Sequence, residues 1–442
     1  MSVQVADPNS PGNADNSPLR ILALGLAVCL LFLRFSMLHQ IQTRLMGVNL
    51  RLLYIVGIPA LVGLVLAGGL QRSFKGRPAY YYTAYAMWMA IAVPFSSWKG
   101  GSTQLLWTFL RTDVVMLFAI AGLAVTWKEC KLLMSAVAWG AIVNLLSAKL
   151  FSNEETFGYR GGLEFGSISN PNDFAGHLLL ALPFLLWIAF SSRNFLFRIA
   201  ALVGTLIGIK LILGTASRGA LVALVADVLF FMWRATGKQR IALIMLAPIA
   251  VFAAMTLLPA ETRNRLLSFS ASSAVTNEQK EAVESQMSRE YLLRKSLEYI
   301  AANPLFGVGP GMFASYEGQH NQIIGTHGSW HETHNSFTQA SSECGIPAGC
   351  FLIAGIVSTF FLLNKVYRAT FRRADCQDLR TAAFCMMLGM VGFTTAITFL
   401  NFAYFFYTPA MGGFAILLHH VAQIEIRERD ALALAPVASR AF

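Results

Sequence analysis

Long stretches of this chain show no alternation of apolar and polar positions. Apolar residues instead follow one another for roughly 17 to 22 places, the length a helix needs to cross a hydrocarbon core about 30 Å thick. Such runs fall near 19–38, 52–70, 79–97, 105–126, 131–150, 174–190, 197–214, 219–233, 241–258, 346–364, 381–400 and 402–422, so about twelve transmembrane helices are expected. Only helices and closed barrels satisfy every backbone polar group in lipid, and continuous apolar runs lack the alternation of a barrel strand. The expected fold is therefore all-α and polytopic.

The pattern changes over 259–345, which reads as one large loop between the ninth and tenth spans. Within it, 278–302 has Leu293, Leu297 and Ile300 at helical spacing, Ser288 as a candidate cap near the start, and Asn303-Pro304 as a stop. Arg289 would then stand near the positive end of the helix dipole, a favourable place for an anion. Residues 1–18 are polar and Pro/Asn-rich without the basic start or cleavage site of a signal peptide, so they read as a disordered tail with the first span retained. Residues 423–442 form a second tail. The organisation expected is thus tail, nine spans over 19–258, outer loop, three spans over 346–422, and tail.

Composition sharpens this picture. Of 442 residues 55% are hydrophobic and only 13% charged, with a mean hydropathy of +0.55, whereas soluble domains carry about a quarter charged residues. The net charge of +11 raises the question of nucleic acid, but its placement follows membrane topology. Arg72, Lys75, Arg77, Lys128, Lys131, Arg193, Arg198, Arg234, Lys238, Arg240, Lys365, Arg368, Arg372, Arg373 and Arg380 fall in loops on one side; the short loops on the other hold only Arg44, Arg51, Lys99, Arg160 and Arg218. The positive-inside rule then puts both termini in the cytoplasm and the large loop outside. The six cysteines are scattered without CxxC spacing, so neither a disulfide framework nor a thiolate metal site is expected.

Given that orientation, Arg34, Arg111, Lys210 and Arg218 lie in the outer halves of spans, where a cation has no topological reason to be. Each costs roughly 2.5 to 3.5 kcal/mol at mid-bilayer, less where it can snorkel or pair with a carboxylate such as Asp113. Their common face is where an anionic headgroup would sit. Four of the eight histidines, His320, His327, His331 and His334, fall just ahead of the tenth span. Histidine can serve there as base, cation or metal ligand, although no carboxylate or thiolate set accompanies them and no metal is expected. His320 and His327 read as ordinary loop residues. The stretch Gly307-Val308-Gly309-Pro310-Gly311 lacks the lysine and strand-to-helix setting of a phosphate loop and reads as a tight turn.

His334-Asn335, with Glu343-x-Gly345 ahead of the tenth span, resembles the O-antigen ligase and polymerase superfamily of bacterial envelope glycan transferases. Thr215-Ala216-Ser217-Arg218-Gly219-Ala220 stands where that family has its Ser-Arg-Gly element. Asn170-Pro171-Asn172-Asp173-Phe174-Ala175 matches its lead into the sixth span, and Asn303-Pro304-Leu305-Phe306-Gly307-Val308-Gly309 the run before its histidine motif. These motifs lie between about 165 and 350; beyond them only the layout of the chain is similar.

The resemblance implies an inner-membrane glycosyltransferase with a periplasmic site. Its donor would be a glycan on undecaprenyl diphosphate, its acceptor lipid A-core, a growing polysaccharide or a glycoprotein, and its outcome inverting. Arg218 and Arg289 match the family's essential arginines, and would stabilise charge growing on the leaving diphosphate. His334 matches its catalytic histidine, either as the base for the acceptor hydroxyl or as an imidazolium holding the diphosphate. Asn335, Arg111, Lys210 and Arg34 would extend the substrate site, and Asp173 and His177 could join it or form a structural polar pair. Glu343 reads as structural or acceptor-facing. Arginines take over charge neutralisation, so no cofactor and no sensitivity to chelator are expected. The rival from another class is a transporter or flippase for a lipid-linked or anionic solute; it would favour internal repeats, which the single asymmetric outer loop does not suggest.

Overall fold

The computed structural model describes residues 17–151, 159–163, 166–168, 170–268, 276–323 and 330–434. His327, residues 1–16 of the first tail and residues 435–442 of the second lie outside these residues, while 423–434 continue the last helix. The described secondary structure is helical throughout. Along the chain run α1 (Pro18–Ser36), α2 (Leu38–Met46), α3 (Leu52–Leu66), α4 (Gly69–Ser73), α5 (Arg77–Ala92), α6 (Lys99–Leu123), α7 (Trp127–Leu150), α8 (Pro171–Ser191), α9 (Phe195–Gly214), α10 (Arg218–Arg234) and α11 (Gly237–Leu257). The segment between α11 and the next long helix holds α12 (Ala260–Leu267), α13 (Asn277–Ala302), α14 (Phe313–Ile323) and α15 (Ser336–Cys344). The chain then continues through α16 (Ile346–Thr370), α17 (Gln377–Ala396) and α18 (Tyr407–Leu434).

Among the described residues eight helices are long and apolar enough to cross a bilayer: α1, α6, α7, α8, α9, α11, α16, and α17 with its flanking turns. The runs expected at 52–70, 79–97, 219–233 and 402–422 form α3, α5, α10 and α18. The first three have 15, 16 and 17 residues, and α18 carries its charges in its last turns. α6 is one rod whose middle, Phe109–Val114, is wound as a π-helix, a local widening often found at functional positions.

The helix α8 is the spine of the bundle. It packs against α7, α9, α10 and α17, and nearly all its side chains from Phe174 to Leu185 are buried. Its start shows how the Asn-Pro-Asn sequence works: Asn170 caps the helix through Oδ1, accepting from Asn172 N at 2.8 Å, and Pro171 occupies the first turn, where no donor is missed.

The segment from α12 to α15 is layered over the start of α10, with α12 against α13 and α13 against α15. One correction to the sequence reading follows. α13 begins at Asn277 with a capping box between Thr276 and Gln279, so Ser288 caps nothing and Arg289 sits mid-helix, away from any dipole of its own. The stop at Asn303-Pro304 is found where expected.

Candidate active site

Three sequence elements meet at the end of the bundle where α8 and α10 begin. In the first, Thr215-Ala216-Ser217-Arg218, the chain turns from α9 into α10. Ala216 adopts a left-handed conformation (φ 52°), uncommon for a residue with a side chain, and Ser217 Oγ caps α10 by accepting from Ala220 N. Arg218, the first residue of α10, donates to Ser268 O at 2.8 Å and Ala282 O at 2.7 Å, with a longer bond to Gln286 Oε1. Its guanidinium therefore fastens α12 and α13 over the bundle.

The second element is Asn170-Pro171-Asn172, and Arg160 joins it to the first. Arg160 Nε donates to Thr215 O at 3.0 Å and its Nη2 to Asn172 Oδ1 at 2.9 Å. Burial, reinforced by repulsion from Arg265, lowers its pKa to about 10. Arg265, on α12, donates to Tyr159 Oη at 3.1 Å and pairs with Glu281 at 3.2 Å.

The third element brings in α13 and the loop before α15. Arg289 lines a narrow crevice with Asn172, Ser217, Gly219, Ala220 and Phe399. It thus faces the N-terminus of α10, where backbone donors and the positive dipole end favour an anion. Its guanidinium donates no hydrogen bond to a described residue; its electrostatic neighbours are Arg218, Arg265 and Asp173. Burial first, then these two arginines, hold its pKa below the usual range. Arg160, Arg218, Arg265 and Arg289 stand in one another's field, with the carboxylates of Glu281 and Asp173 beside them.

His334 lies within the field of Arg289 and His331. Its backbone is left-handed (φ 52°), a conformation that turns the chain into α15, whose cap is Asn335, accepting from Phe337 N and Thr338 N at 2.9 and 3.1 Å. Desolvation, then Arg289 and His331, lowers the His334 pKa to about 4. The imidazole is therefore neutral near pH 7.

Glu343, in the last turn of α15, anchors the glycine-rich turn. It is fully buried, accepting from Gly311 N at 2.9 Å, Phe313 N at 3.2 Å and Tyr404 Oη at 2.6 Å. The glycine-rich turn is thus a cradle for a carboxyl group within the protein. Gly307 and Gly309 have positive φ, and a Cβ on Gly307 would overlap the Glu343 backbone. Burial raises the pKa of Glu343 and of neighbouring Glu332.

The structure therefore brings together Arg218, Arg289, His334, Asn335 and Asp173, and adds Arg160 and Arg265, which the sequence reading does not single out as site residues. Their signal in the sequence is faint: Arg160 is one of few basic residues in the short loops on its side, and Arg265 is one of six arginines and lysines in the large loop. The remaining candidates lie elsewhere. His177 is completely buried, with Nδ1 against Tyr407 Oη at 2.9 Å and Nε2 against Asn144 Nδ2 at 2.7 Å, so both ring nitrogens are committed to the core. Lys210 is exposed on α9 beside Leu206 and Ile207. Arg34 pairs with Asp113 at 2.5 Å and lies over the Phe406 ring, while Arg111 lies over Tyr54. Arg34 and Arg111 line a separate cavity of about 230 Å³ between α1, α3 and α6. The expected single wide anion site is in fact two groups of cations, with Asp173 near the first, and Arg34 and Asp113 near Tyr407, which Asp173 also reaches electrostatically.

Residues 203–353 match the family model described as O-Antigen ligase. That stretch runs from within α9 into the first turns of α16 and includes Arg218, Arg265, Arg289, His334 and Glu343. No curated protein matches the chain.

Proposed function

From the O-antigen ligase domain at residues 203–353, of the ligase and polymerase superfamily, we propose that this membrane protein transfers a glycan from undecaprenyl diphosphate to an acceptor hydroxyl, in lipid A-core ligation or polysaccharide polymerisation. In this reading twelve helices cross the inner membrane, both termini are cytoplasmic, and α12 to α15 cover a periplasmic site. Lipid-linked donor and acceptor approach within the outer leaflet.

The observation that carries the reading is Arg289. A half-buried guanidinium that donates no hydrogen bond to a described residue, facing a helix N-terminus and flanked by further arginines, is placed to take an anion. A diphosphate has the charge and the pairs of oxygens that planar arginine forks bind two at a time. Arg218 and Arg289 hold the diphosphate, and Arg160 and Arg265 set the field. As the bond between the anomeric carbon and the phosphate oxygen breaks, the electron pair passes to the diphosphate, whose growing charge these groups stabilise. The acceptor oxygen bonds to the anomeric carbon and gives its proton to His334.

A neutral His334 suits the base better than the imidazolium. Buried beside Arg289 and His331, its conjugate acid is a stronger acid than ordinary imidazolium, and a bound diphosphate raises that pKa by offsetting Arg289. Arg289 would thus depress the basicity of His334 until the donor arrives.

Deleting the gene in its host and analysing envelope glycans tests the reading. Loss of a polymer from lipopolysaccharide, or a shortened polysaccharide, restored by the wild-type gene and not by His334→Ala at equal expression, is expected. Unchanged glycans would refute it.

A further inference from the structure

The end of the bundle opposite the arginine cluster carries a second built site. A cavity of about 330 Å³ opens between the start of α7, the end of α8 and the start of α9. Lys131, Ser135 and Trp139 line it at helical spacing from α7, and Trp187 and Ser191 at helical spacing from α8. The indole Nε1 of Trp187 and the hydroxyl of Ser191 are buried without a hydrogen-bond partner, and Trp187 as a whole is 5% exposed. Buried donors left in this condition are rare and call for an acceptor.

We propose that this cavity binds the phosphate of an anionic phospholipid in the membrane leaflet on that side. The lining supplies donors and positive charge, and no Asp or Glu. Arg193 and Arg198 follow within a few residues of Ser192, so the local field also favours an anion. A lipid is favoured over free phosphate because Phe190, Phe195 and Leu196, adjoining the lining residues in the chain, are exposed apolar side chains. They provide a surface for acyl chains beside the headgroup. Ser135 donates to the Lys131 carbonyl at 2.8 Å, which leaves the Trp187 N–H, the Ser191 O–H and the Lys131 ammonium, 5.5 Å from the Trp127 ring centroid, as the three donors for the phosphate.

Native mass spectrometry of the full chain in detergent, titrated with phosphatidylglycerol or with phosphatidylcholine of the same acyl chains, tests this. The wild type should retain phosphatidylglycerol preferentially. Trp187→Phe, which keeps the ring and removes the donor, and Lys131→Gln should each weaken that retention about tenfold, the effect of losing one good polar contact. Lys131→Arg should restore it, and phosphatidylglycerol should raise the melting temperature of the wild type more than that of either weakened variant. Equal retention of the two lipids, or wild-type retention by Trp187→Phe and Lys131→Gln, would overturn the proposal. So would complete displacement by millimolar inorganic phosphate, which would make the site one for a soluble anion.

Discussion

Arg160 Nη2 donates to Asn172 Oδ1 at 2.9 Å, and this contact holds the start of α8 beside the start of α10. A second bond, from Arg160 Nε to the Thr215 carbonyl, makes the residue a two-point brace between the Asn-Pro-Asn and Ser-Arg-Gly elements. Arg160→Lys keeps the charge and loses the fork. Glycan transfer should fall at least about tenfold, with a loss of stability of about 1 to 2 kcal/mol from the broken hydrogen bonds. Transfer assays and thermal melts of the purified variant check this; full activity would show that the brace does not matter to the site.

Glu343 should be worth more to folding than to chemistry. In Glu343→Ala the N–H groups of Gly311 and Phe313 lose their acceptor, a cost of about 2 to 4 kcal/mol for two unsatisfied buried donors. Glu343→Gln keeps an acceptor and should cost less. Because the folded-state pKa is raised above the ordinary value of 4.5, the stability linked to the protonated carboxyl is present below pH 4.5. It is lost as pH rises through the folded pKa. Wild type should therefore lose stability relative to Glu343→Gln over that rise, measurable by melting at a series of pH values.

The pH dependence of catalysis should follow His334. Its free-site pKa of about 4 predicts that kcat/KM for donor stays on its plateau well below pH 6.5 and declines only on approaching pH 4. The acid limb of kcat should lie higher, since bound diphosphate raises the imidazole pKa. His334→Ala should lower kcat by about 100-fold or more. Acid limbs at the same pH for both parameters would remove the electrostatic link between donor and base. The depressed pKa also links to folding: the stability of the neutral imidazole is present above pH 6.5 and lost as pH falls through 4.

Much of this organisation is legible in the sequence, because lipid permits few solutions. The apolar runs place the helices, and Pro171 and Asn303-Pro304 mark the start of α8 and the end of α13. What could not be read is distance in space. Arg34, Arg111, Lys210 and Arg218 look alike in sequence, yet Arg34 has Asp113 from another helix as its partner, Lys210 is exposed, and of the four only Arg218 joins Arg289. Arg289 shows a related effect, since the dipole near it belongs to α10 and not to its own helix. His177 was one residue type with two futures, decided by Asn144 and Tyr407 far away in the chain. The glycine-rich turn encloses an acidic group after all, but the group is the protein's own Glu343 carboxyl.

The most direct test is a single-turnover assay of the purified protein with a glycan on undecaprenyl diphosphate and an acceptor extract, following release of undecaprenyl diphosphate. The account predicts release in step with product, slowed by at least about 100-fold in Arg289→Ala, the scale of losing a charge-stabilising donor. Wild-type release by Arg289→Ala, or product formed with no undecaprenyl diphosphate released, would contradict it.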